Sequence, residues 1–195
     1  MSIKKYFGPL SKDNPVLVQI LGVCSALAVT AQLKPAFVMA LSVTVVTGFS
    51  NLVISSIRKM IPPRIRIVIQ LVVIATMVIL VDQVLQAFFY DMSKMLSVFV
   101  GLIITNCIVM GRLEAFAMGN PPLPSFLDGI FNGLGYGLVL IVVGFIRELL
   151  GSGTLWNVQV IPTSFYEAGY MNNGLMMLPP MALLLIGIMI WIQRS

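Results

Sequence analysis

Apolar residues in this chain fall into long runs bounded by charges and prolines, and six such runs can be marked, near residues 15–33, 36–57, 65–88, 95–118, 129–150 and 175–192. A hydrocarbon layer about 30 Å thick takes roughly 20 apolar residues of helix, so each run is long enough to cross it. The pattern predicts an all-α integral membrane protein with six transmembrane helices. Pro62 and Pro63 punctuate the second connection, and "GNPPLPS" at 119–125 punctuates the fourth. The longest loop, 151–174, carries Trp156, Phe165, Tyr166 and Tyr170, residue types suited to the membrane interface.

Composition supports this reading. With 58% hydrophobic and 10% charged residues and a mean hydropathy of +1.00, the chain lies outside the range of soluble domains. Six spans with short loops use up its 195 residues, so a single membrane domain is expected over 1–195. The net charge of +5 does not indicate nucleic acid, because the basic residues sit at the ends of apolar runs. Lys4, Lys5, Lys12, Arg58, Lys59, Arg64, Arg66, Arg112 and Arg194 share one side of a six-span topology, and only Lys34, Lys94 and Arg147 fall on the other. That bias places both termini in the cytoplasm. Lys4, Lys5, Lys12 and "ALA" at 26–28 imitate a secretory signal, and "LGVC" at 21–24 imitates a lipoprotein acylation site. Val23 stands where the latter needs a small residue, and five further spans follow, so the first run is expected to be retained.

The chain has no histidine, which removes Ser/His nucleophile pairs, histidine haem ligation and most zinc sites. "GLGYG" at 133–137 has the wrong spacing for a phosphate-binding loop. Two cysteines remain. Placing Cys24 over Cys107 sets "VQILGVCSALAVT" against "FVGLIITNCIVMG", and each begins a set of three spans. An offset of three spans makes the halves, about 13–90 and 95–193, run through the membrane in opposite directions, as in inverted-topology repeats. Cys24 lies about 13 Å beyond Pro15, near mid-layer. Cys107 lies about 18 Å beyond Met95, yet Arg112 and Glu114 follow too soon for a continuous span. A half-helix that unwinds near Asn106 and Cys107 resolves the conflict. Gly22 and Asn106, beside the two thiols, are the expected points of backbone irregularity.

A free thiol is often just a small buried hydrophobe, and a disulfide suits an oxidising compartment better than a membrane centre. Paired across a pseudo-twofold axis, two thiols can instead act as soft ligands for iron or copper. A [2Fe-2S] cluster usually takes four cysteines, so this chain would need a second one, a homologue or another copy of itself.

"LGVCSALAVT" (21–30), "SNLVISSIR" (50–58), "SVFVGLIITNCIVMGRLEAFAM" (97–118), "DGIFNGLGYG" (128–137) and "RELLGSGTL" (147–155) together resemble the D-subunit family of bacterial sodium-translocating NADH:quinone reductases. The E subunits of Rnf electron-transport complexes share the "TNC" and "GR-EAFA" patterns, whereas "LGVCSALAVT" and "NGLGYG" favour the sodium enzyme. The resemblance implies a non-catalytic electron-relay subunit in the bacterial inner membrane, part of a six-subunit translocase that couples NADH oxidation by ubiquinone to sodium export. It implies that NADH, FAD, FMN and quinone are bound elsewhere, among the A, B, C, E and F subunits. It further implies that Cys24 and Cys107 are ligands to the iron of a [2Fe-2S] cluster shared with the homologous, inversely oriented E subunit. The alternatives are an Rnf-type E subunit and a secondary transporter built on inverted repeats. The chain departs from the family pattern in a short tail after Trp191.

Among the other polar residues, Arg112 and Glu114 read either as neighbours that tune or support the cluster site, with Gly22 and Asn106, or as an ion pair at a span end. Asp82 reads as reaching the far interface, and Arg147 and Glu148 read as interfacial. Gly129, Gly133 and Gly137 line one face of the fifth span and predict a close helix contact.

Overall fold

The computed structural model describes residues 14–88, 100–155, 158–159 and 174–194. Lys4, Lys5, Lys12, Lys94, Met95, Trp156, Phe165, Tyr166 and Tyr170 lie outside the described residues. Among the described residues the architecture is all-α apart from a two-residue antiparallel ladder, β1 (Thr154–Leu155) with β2 (Val158–Gln159). Three helices among the described residues are long and apolar enough to cross a membrane: α2 (Leu33–Ile57), α3 (Arg66–Phe88) and α6 (Pro122–Gly151). The helix α7 (Pro179–Arg194) is shorter and follows a 3-10 turn at Gly174–Met177.

The first apolar run is broken at Gly22, one of the two points of irregularity expected, so helix does not fill 15–33. Its helix, α1, spans only Val23–Val29. The cause lies in "NP" at its start. The Asn14 carboxamide oxygen accepts from the amides of Val16 (2.9 Å) and Leu17 (3.3 Å), giving the chain a side-chain alternative to helical bonding. Ile20 (φ 55°) and Gly22 (φ 77°) then turn through the left-handed region. Glycine takes that conformation without a Cβ penalty, whereas Ile20 is a strained exception.

The fourth run is interrupted as well. Helix α4 (Val100–Ile104) ends, Thr105 and Asn106 leave the helix, and α5 (Cys107–Arg112) begins again before passing into a π-helical turn at Leu113–Ala117. The fifth run begins its helix earlier than expected, at Pro122 instead of residue 129. Pro122 and Pro124 fit because the first-turn amides have no intrahelical partner to lose.

The threonine hydroxyls inside these helices are closed locally. Thr30, Thr44, Thr47, Thr76 and Thr105 each donate to a carbonyl four residues back, so their hydroxyls make no demand on the apolar surroundings.

Helices α2 and α6 form the centre of the molecule. A β-carbon at Gly129 would lie 2.9 Å from Gly48 Cα, one at Gly133 2.6 Å from Thr44 Cα, and one at Gly137 2.9 Å from Ala40 Cβ. The glycine face predicted from sequence therefore packs within this chain, against α2. As numbers rise along α6 they fall along α2, so the two helices are antiparallel. Each short cysteine-bearing helix is thus followed by one member of this pair and then by a further helix.

The ends of the pair are fastened by polar side chains. At one end Asn51 Nδ2 donates to the Ser125 carbonyl (3.0 Å) and Ser55 Oγ to that of Asn120 (2.5 Å). At the other, Glu148 accepts from the Leu33 amide (2.5 Å). Arg147 there donates to the carbonyls of Met176, Met177 and Leu178 and to Thr30 Oγ1 (2.7 Å). Arg147 and Glu148 are consequently buried within the chain, at 1% and 5% exposure. Chain segments folding over that end of α6 cover them, and the guanidinium fork supplies donors to carbonyls left open there.

Replacing Gly133 with leucine is expected to force α2 and α6 apart and to destabilise the protein by about 1–3 kcal/mol or more. Gly187→Ala, at a helical position with open space around it, is expected to leave stability unchanged or slightly raised. Thermal unfolding in detergent checks both; equal melting of the Gly133→Leu variant and the parent would contradict the contact.

Candidate metal centre

Cys24 and Cys107 each stand at the start of a short helix that follows a backbone break. Gly22 precedes α1, and Asn106, in extended conformation, caps α5 by accepting from the Ile108 amide (3.2 Å). Both thiols are free, and both are exposed on the surface of this chain. Neither is therefore the buried hydrophobe that a lone membrane cysteine often is.

The two breaks are packed back to back. A β-carbon at Gly22 would lie 2.8 Å from Ile108 Cδ1 and 3.1 Å from Tyr136 Cε2, so the turn before Cys24 rests directly on the helix of Cys107 and on α6. Polar contacts complete the junction. Ser25 Oγ donates to the Gly22 carbonyl (2.9 Å), meets Tyr136 Oη at 2.6 Å and accepts from Asn106 Nδ2 at 3.3 Å. Hence the residue after Cys24 is bonded to the residue before Cys107. Tyr136 is fully buried, and Asn14 Nδ2 donates to the Gly135 carbonyl (3.0 Å) beside it, tying the start of the first run to the same point of α6.

Arg112 and Glu114 are not each other's partners. Arg112, the last residue of α5, forks onto Asp128 of α6 (Nε–Oδ2 2.9 Å, Nη2–Oδ1 2.5 Å), and its guanidinium lies 5.5 Å from the centre of the Phe116 ring. Glu114 joins Arg66 (2.5 Å) and Gln70 (2.9 Å) at the start of α3. Asp82, on α3, accepts from Gln86 (3.0 Å). The far ends of both thiol-bearing helices are thus anchored through arginines, α5 by Arg112 and α1 by Arg147, which reaches Thr30 and the Leu27 carbonyl (3.4 Å).

Ser25, Tyr136, Asp128 and Asn14 were not singled out by their place in the sequence. Only Asn14 left a local signal, the Asn-Pro turn pair. Asp128 and Tyr136 lie on a different helix from the groups they bind, and no spacing links them.

Exposed soft thiols on adjoining turns suit an iron–sulfur ligand set. They fill half of one. No group of three or more Cys, His, Asp or Glu side chains is gathered among the described residues.

The class that this fold defines is a polytopic membrane protein. A family model described as "Rnf-Nqr subunit, membrane protein" matches residues 2–190, and the chain belongs to that family. It is 61% identical over 189 residues to the D subunit of the Na(+)-translocating NADH-quinone reductase of Pseudomonas paraeruginosa (strain DSM 24068 / PA7), covering 97% of this chain and 85% of the relative. It is 60% identical over 188 residues to the protein of the same name from Shewanella sp. (strain ANA-3), covering 96% and 90%.

Arg112→Ala strips the fork from Asp128, whose side chain is only 9% exposed, and is expected to destabilise by about 3 kcal/mol. Glu114→Ala breaks a half-exposed pair with Arg66 and takes the acceptor from the buried Gln70 amide, and is expected to cost about 1–2 kcal/mol. Unfolding midpoints of the two variants check the difference, and equal losses would contradict it.

Proposed function

We propose that this chain is the D subunit of a sodium-translocating NADH:quinone reductase and that Cys24 and Cys107 supply two of four ligands to an intramembrane [2Fe-2S] cluster. The observation that carries this reading is the pair of free, outward-facing thiols on adjoining helix breaks. The remaining two ligands come from the homologous E subunit docked against the same face. When bound, such a cluster passes single electrons between donors and acceptors held by other subunits. Sites for NADH, FAD, FMN and quinone belong to the A, B, C, E and F subunits. Identity of 60–61% to D subunits of the sodium enzyme favours it over an Rnf-type E subunit.

The chain's own residues orient the thiols. Gly22 lets the first turn approach Ile108, Asn106 starts the second helix at Cys107, and the Arg112 and Arg147 anchors hold the far ends of both short helices. A single membrane domain of two inverted three-helix repeats, about 13–90 and 95–193, is supported by the antiparallel run of α2 and α6. Arg66, Arg112 and Glu114 gather at one end of the molecule and Leu33, Arg147 and Glu148 at the other, in keeping with both termini on the cytoplasmic side of the inner membrane.

In the purified complex, Cys24→Ala and Cys107→Ala are each expected to remove bound iron and abolish NADH-driven quinone reduction. Full iron content with full turnover in either variant would sink the relay role.

A further inference from the structure

Resting on the cluster reading above, we propose that Tyr136 is a positioning residue for the thiol pair, holding Cys24 and Cys107 in fixed relation through Ser25. The Ser25 hydroxyl has one proton and two lone pairs. It donates to the Gly22 carbonyl (2.9 Å), accepts from Asn106 Nδ2 (3.3 Å) and shares a 2.6 Å hydrogen bond with Tyr136 Oη in which either hydroxyl can be the donor. All three capacities are filled, and each partner belongs to a different part of the junction. Gly22 is the turn before Cys24, Asn106 is the cap before Cys107, and Tyr136 belongs to α6.

Tyr136 is the member that neither break can supply for itself. Its ring packs on Gly22, and its hydroxyl is fully buried, where a donor without an acceptor is costly. That cost pins Ser25 under the phenol. Ser25 in turn pins Asn106, whose other end fixes the first amide bond of the Cys107 helix. The shortest bond of the three is the one to Tyr136, and helix α6 is the long element that both breaks lean on.

Ligand spacing and orientation set how firmly iron is held and at what potential it changes state. Tyr136→Phe keeps the ring against Gly22 and removes only the hydroxyl. In the purified complex it is expected to retain the cluster with a broadened electron paramagnetic resonance line, a shifted midpoint potential and about tenfold faster iron loss to a chelator. Ser25→Ala removes the hub and is expected to shift the same readouts further. If Tyr136→Phe yields no complex, Ser25→Ala decides the matter by the same measurements. A wild-type signal that vanishes in Cys24→Ala, yet keeps its line shape, potential and chelation rate in the network variants, overturns the positioning role alone. A signal untouched by Cys24→Ala overturns the cluster reading, and this inference with it.

Discussion

The near-contact of two backbones, α2 and α6, is the constraint on which the rest of this molecule hangs. Glycines at 129, 133 and 137 remove the side chains that would hold the helices apart, and Ala40, Thr44 and Gly48 face them. In lipid there is no hydrophobic force between apolar helices, so close packing and internal hydrogen bonds must supply the attraction. Once α6 lies along α2, its remaining groups have fixed addresses. Tyr136 falls at the junction of the two helix breaks, Asp128 meets Arg112, and Arg147 meets the end of α1.

Breaking a helix inside a membrane exposes amides and carbonyls that water cannot reach. This chain breaks two and closes each with side chains. Asn14 takes amides of the first turn, Asn106 takes the Ile108 amide, Ser25 takes the Gly22 carbonyl, and Arg147 takes several carbonyls at once. Asn14, Ser25, Asn106 and Arg147 are thus buried polar residues that make short helices stop and start. What the breaks gain is placement: each thiol stands at the head of a short helix and faces out of the chain.

Much of this is legible in the sequence, for identifiable reasons. The spans of α2 and α3 follow from apolar runs bounded by charges and prolines, and the interruption at Asn106 follows from charges that arrive too early. The glycine face on α6 is readable because its spacing is internal to one helix. The break at Gly22 is legible too, but the turn from Asn14 to Ile20 is not, because that part of the run is apolar almost throughout and only Asn14–Pro15 marks it. The partners of Arg147 are hidden for a related reason: its place at the end of a run does not tell that residues 176–178 return over it. Tyr136 and Ser25 stay hidden because their meaning lies wholly in contacts between distant helices.

Two thiols of this chain sharing one cluster with a second subunit is the central claim. An anomalous difference map at the iron edge, from the assembled complex, tests it most directly. Iron density is expected within bonding distance of the sulfurs of both Cys24 and Cys107, bridging to the partner chain. Both sulfurs free of iron in a complex that turns over would contradict it.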